Sequence, residues 1–116
     1  MDQQLLRFVR LSYAPGPGKE TPRKIPVLVF EQDEMLHVVI RSGWEEGISA
    51  LDREYLSELM ADWRCLASGD IAATLDQLAE LSIGPLRATS SGVMKPSQIA
   101  SLSRRVEAGA GDIVVY

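Results

Sequence analysis

Apolar residues fall into two regimes along this chain. Up to about residue 42 they come in short runs rich in β-branched and aromatic side chains. Beyond residue 50 they recur at steps of three and four. The first regime predicts strands and the second predicts helices.

Residues 4–13, "QLLRFVRLSY", predict a first strand, although Arg7 shares the parity of Leu5, Val9, Leu11 and Tyr13 and a short helix also fits. Residues 25–32, "IPVLVFEQ", predict a second, with Pro26 confined to its start or to an edge because it has no N–H to donate. Residues 35–42, "MLHVVIRS", predict a third, with Leu36, Val38 and Ile40 on one face and Met35, His37, Val39 and Arg41 on the other. Only Asp33 and Glu34 separate the last two, so they form an antiparallel hairpin.

The clearest helix spans residues 50–67. Ser49 caps it, with Asp52 three residues on approximating a capping box. Tyr55, Leu56, Leu59, Trp63 and Leu66 form its apolar stripe, flanked by Met60 and Ala67. "SGD" at 68–70 reads as its stop, with Gly69 in the left-handed position and Asp70 capping the next helix. That second helix covers residues 71–82, buries Ile71, Leu75 and Leu78, and stops at Gly84-Pro85, making an αα-hairpin.

"LRATSSGVM", residues 86–94, fits a short strand or a loop, and its "TSSG" reads as loop. A third helix starts at Pro96 or Ser97, carries Ile99, Leu102 and Val106 on a narrow stripe, and ends at Gly109. "DIVVY", residues 112–116, is strand-like. It is expected to add to its own sheet, with a homodimer built on that segment or on the helices as the alternative. The expected fold is therefore α+β within one domain, residues 1–116: a two-layer, mostly antiparallel sheet of the N-terminal strands plus the C-terminal strand, packed on one face by an αα-hairpin and a third helix.

At 116 residues, 46% apolar and 24% charged, the chain has ordinary globular composition and length enough for a core without staples. Its one cysteine, Cys65, excludes an internal disulfide. The longest uncharged apolar run, residues 25–30, is too short to span a bilayer, and the N-terminal residues lack a signal-peptide pattern, so a soluble, cytoplasmic protein is expected. The net charge of −4 is unevenly spread. Residues 1–30 carry five positive and two negative charges, residues 31–80 three and twelve, and residues 81–116 four and two. An acidic middle argues against nucleic-acid binding, which needs a concentrated basic face, and suits a basic protein partner.

The "YAPGPGKETPRK" stretch, residues 13–24, ends a glycine-rich turn in a lysine. A phosphate-binding loop would need glycine at position 13, where Tyr13 stands, and a hydroxyl at position 20, where Glu20 stands. Proline-punctuated strand sequence follows instead of a helix, so the stretch is read as a stiff connector. His37 is the only histidine and has no triad or metal-ligand pattern around it. Cys65 lies near a helix C-terminus, where the dipole disfavours a thiolate. The carboxylates Asp33, Glu34, Glu45, Glu46, Asp52 and Glu54 are of kinds ordinary in turns and first helical turns. "KPSQIASLSRR" is followed by no second helix that would read a DNA groove. No catalytic residue, cofactor or metal is expected.

"RSGWEEG", residues 41–47, holds the candidate partner-binding residues. Arg41, Trp44, Glu45 and Glu46 sit where the third strand leaves the sheet, and Trp and Arg are enriched in interface hot spots. Trp44 also fits a role closing the end of the core. The sequence thus points to a non-catalytic protein-interaction module, such as an adaptor, inhibitor or immunity-type protein, using an acidic face. The alternative is a small enzyme or ligand-binding domain with a pocket between sheet and helices around His37.

Overall fold

A computed structural model describes residues 4–14, 24–46, 48–82 and 84–108. In chain order the elements are β1 (Leu6–Tyr13), β2 (Ile25–Gln32), β3 (Met35–Ile40), α1 (Ala50–Arg64), α2 (Ser68–Ala79), β4 (Leu86–Met94) and α3 (Pro96–Glu107). The four strands form one antiparallel sheet in the order β3-β2-β1-β4. The fold is α+β, as the two hydrophobic periods predict.

The hairpin of β2 and β3 closes through Gln32 opposite Met35. Its two turn residues, Asp33 and Glu34, both take positive φ, at 55° and 60°. That mirror-image turn matches the twist of the flanking strands, and a two-residue link leaves few other geometries.

Side chains of the two central strands point to both faces of the sheet, and both faces are covered. Val9, Leu11 and Tyr13 of β1 and Ile25, Val27 and Val29 of β2 pack with Leu56, Met60 and Trp63 of α1 and with Ile71, Leu75 and Leu78 of α2. On the other face Leu6, Phe8, Leu28 and Phe30 pack with Ile99, Leu102 and Val106 of α3. The third helix therefore lies opposite the other two, and the arrangement has three layers where the sequence suggested two. The physical reason is the unbroken apolar run of β2: a strand with one wet face alternates, and a strand covered on both faces does not.

Among the described residues the fourth strand of the sheet is β4; residues 112–116, expected to add a strand, lie outside the described residues. β4 takes the edge next to β1, so "TSSG" belongs to a strand and not to a loop. The register slips between Arg10 and Leu11, leaving Thr89 as the extra residue of a bulge, and its hydroxyl donates to the Arg10 carbonyl at 3.2 Å. Such a bulge interrupts the regular ladder and sharpens the local twist of β4.

Helix boundaries differ at one junction. Ser49 caps α1 as expected: the Asp52 N–H donates to its hydroxyl oxygen at 3.1 Å. α1 ends at Arg64, with Cys65 as C-cap, and α2 already begins at Ser68. Gly69 and Asp70 therefore lie in the first turn of α2 instead of stopping α1. An acidic residue there suits the positive end of the helix dipole. Leu66 lies past the end of the helix and packs against the core. Leu56, Met60 and Trp63 are buried, whereas Leu59 is half-buried and Tyr55 is 45% exposed, so the buried face is rotated away from the predicted stripe. Among the described residues no helix is long and apolar enough to cross a membrane.

Candidate functional site

The four residues singled out after β3 differ in their exposure. Residues 41–46 form two successive turns, with the Trp44 N–H donating to the Arg41 carbonyl at 3.2 Å and the Glu46 N–H to the Gly43 carbonyl at 3.1 Å. Gly43 has a φ of 74°, a value that favours glycine. The turns send Trp44 inward, where it is 8% exposed and part of the core under α1 and α2. Trp44 is thus not an exposed anchor; its indole closes the end of the core. Glu45 and Glu46 remain exposed, and Arg41 is half-buried.

The acidic surface continues along α1. At about 100° per residue, Leu51, Glu54, Tyr55, Glu58 and Asp62 fall within an arc of about 100°, well away from Leu56, Met60 and Trp63. All five are exposed, Leu51 by 79%. Glu54, Glu58 and Asp62 follow one another at four-residue spacing, so each neighbouring pair repels. Among the described residues no cation pairs with any of the three. Arg64, on the same helix, instead donates to the Val38 carbonyl at 3.4 Å.

At its N-terminal end the stripe borders an open groove of about 450 Å³. Tyr13, the last residue of β1, and Pro85, just before β4, line it on the sheet side. Leu51, Asp52, Glu54, Tyr55 and Glu58 line it on the helix side. The Tyr13 ring lies 5.8 Å from that of Tyr55, tilted by 30°. Its hydroxyl donates to one Asp52 carboxylate oxygen, and the Ser49 hydroxyl donates to the other at 2.8 Å. Burial pushes the Tyr13 hydroxyl well above its ordinary pKa, and the bond to Asp52 and the charge on Asp52 push the same way. Asp52 is thus fixed in place by two hydroxyl donors. Glu54 and Glu58 are the carboxylates of the groove that have no partner among the described residues.

Comparison with known protein families, curated proteins and solved structures finds no match. His37 does not reach the groove. It lies on the opposite sheet face, stacked on Phe30 at 5.1 Å, with its Nε2–H donating to the Gln32 carbonyl at 3.2 Å. Cys65 is exposed at the C-terminal end of α1. Among the described residues no group of three or more His, Cys, Asp or Glu side chains is placed to hold a metal ion.

Leu51 and Tyr55 are the residues that reading by sequence misses. Tyr55 fits the three-and-four spacing of the apolar stripe, yet it sits at the edge of that stripe beside Glu54 and Glu58. The carboxylate ladder at 54, 58 and 62 is the signal that marks this side as the outer one.

Proposed function

We propose that this chain is a non-catalytic protein-interaction module, of the adaptor, inhibitor or immunity type, working in the cytoplasm and receiving a basic protein partner on its acidic face. One observation carries this reading: three carboxylates repel one another along α1, unrelieved by any cation of the described residues, beside an exposed leucine and tyrosine. A helix surface with no binding role gains by alternating its charges. Here the alternation is absent, and a cationic partner removes the repulsion while covering the two apolar side chains. The same charge repels phosphate, so nucleic acid does not suit this face. It also repels a second copy of itself, so a homodimer would use another surface.

The test is capture from the native host with mass spectrometry, comparing the native chain with the triple variant Glu54→Lys, Glu58→Lys and Asp62→Lys. The expected result is a basic protein retained by the native chain, released by salt, and lost with the triple variant. A captured set that the triple variant leaves unchanged refutes the reading.

A further inference from the structure

We infer that the groove between the end of β1 and the first turns of α1 receives a single arginine side chain of the basic partner. This rests on the reading of the acidic face as a protein-binding surface and names what that surface recognises. The groove has the volume of a small-ligand site, at about 450 Å³. Its walls combine three features that together suit one kind of side chain. Tyr55 offers a half-exposed ring, on whose face a guanidinium stacks. Glu54 and Glu58, one turn apart and without partners among the described residues, offer carboxylates to a planar fork of N–H donors. Leu51, largely exposed, offers an apolar rim for the methylene stem.

Lysine satisfies these features less well. Its ammonium is a strongly hydrated point charge that does not fork between two carboxylates and has no plane to lay on the tyrosine. The helix dipole opposes a cation at the N-terminus of α1, but that effect fades within the first turn. Glu54 and Glu58 lie in the second and third turns. Asp52 contributes fixed negative charge from below, its oxygens being held by Tyr13 and Ser49. Neutralising Glu54 or Glu58 therefore weakens arginine directly and leaves the Tyr13–Asp52 bond in place.

The experiment is an amide chemical-shift titration of the ¹⁵N-labelled chain with a short peptide carrying one arginine between glycines and serines. Two peptides identical but for citrulline or lysine at that position serve as controls. Saturable shifts are expected around Tyr13 and residues 51–58, several-fold weaker with lysine and absent with citrulline. Tyr55→Ala and Glu58→Gln should each weaken the arginine peptide by roughly tenfold, as loss of a cation–π or charge-assisted contact does. Glu107→Gln, on α3 across the sheet from the groove, should leave this peptide's affinity within about twofold, as distant sites act independently.

Equal shifts with citrulline, or no saturable shift in the groove, overturn the proposal. Shifts confined to Glu45, Glu46 and Asp62 also overturn it, while leaving the wider acidic-face reading intact. Shifts that follow protein concentration without peptide would assign the groove to a second copy. Binding seen only after Lys19→Gln and Arg23→Gln would assign it to the chain's own connector. Either result refutes the arginine receptor.

Discussion

Tyr13 shows how one side chain joins the sheet to the candidate site. It closes the β1 end of the core at 2% exposure, yet its hydroxyl reaches Asp52 on the first turn of α1. With its pKa raised by burial and by Asp52, the folded protein keeps this proton where the unfolded chain loses it, near pH 10. The unfolded state then binds fewer protons, so the stability contributed by Tyr13 is complete below about pH 10 and declines as pH rises further. Urea melts of the native chain between pH 8 and pH 11 should therefore show a steeper alkaline loss of stability than those of Tyr13→Phe, in which this ionisation is absent. The variant should also be less stable near pH 7 by about 1–3 kcal/mol, for the lost bond to a charged acceptor. Parallel alkaline slopes in the two proteins would refute the assignment.

At the scale of single elements, the β2–β3 hairpin and α1 each carry a local cost. Glu34 holds a φ of 60°, in a region that residues with a Cβ seldom adopt. Glu34→Gly should relieve it and raise stability by about 1 kcal/mol, read as a shift in denaturant midpoint. A loss of stability would mean that the Glu34 side chain contributes contacts that outweigh its backbone strain. On α1, Glu58 stands four residues from both Glu54 and Asp62. Glu58→Lys turns two repulsive pairs into attractive ones, of which Glu54–Lys has the better orientation. The helix should gain up to about 1 kcal/mol in thermal melts, while capture of a basic partner weakens. Opposite signs for stability and binding are what a functional charge ladder requires. A variant that binds better and melts lower would contradict both claims.

Across the whole molecule, the two cores share their strands. β1 and β2 send alternate side chains to α1 and α2 on one face and to α3 on the other, so neither face keeps its packing if those strands separate. The Ser42 N–H also donates to the Glu107 carbonyl at 3.0 Å, tying the end of α3 to the turn that carries Trp44. Leu102→Ala, at 4% exposure under α3, should cost about 2–5 kcal/mol. Because unfolding is cooperative, tryptophan fluorescence should report the same loss as circular dichroism, although Trp44 and Trp63 lie on the far side of the sheet. A tryptophan midpoint unmoved by Leu102→Ala would show that the α3 layer unfolds on its own. By contrast, the exposed Arg7–Asp76 pair contributes little to this ledger.

Much of this was legible in the sequence because it depends on short-range chemistry. The span of β2, the two-residue turn at Asp33 and Glu34, the Ser49 cap and the Ile99–Leu102–Val106 stripe are set by residues within one or two turns of each other. The acidic balance of residues 31–80 is likewise a matter of counting charges. What needed the tertiary structure was every question of which partner covers which face. "IPVLVF" and the stripe of α3 are both apolar, but only assembly puts α3 against Leu28 and Phe30 and the helical pair against Val27 and Val29. "LRATSSGVM" has weak strand propensity and becomes β4 because β1 offers it an open edge. Trp44 between glycines was free, by sequence, to face either way; the two turns at 41–46 aim it into the core. The groove brings Tyr13 and Pro85 to Glu54 and Glu58 across more than forty residues on one side and about thirty on the other. Local pattern determines elements because its interactions act between near neighbours, whereas a site assembled from distant segments exists only once the core has brought them together.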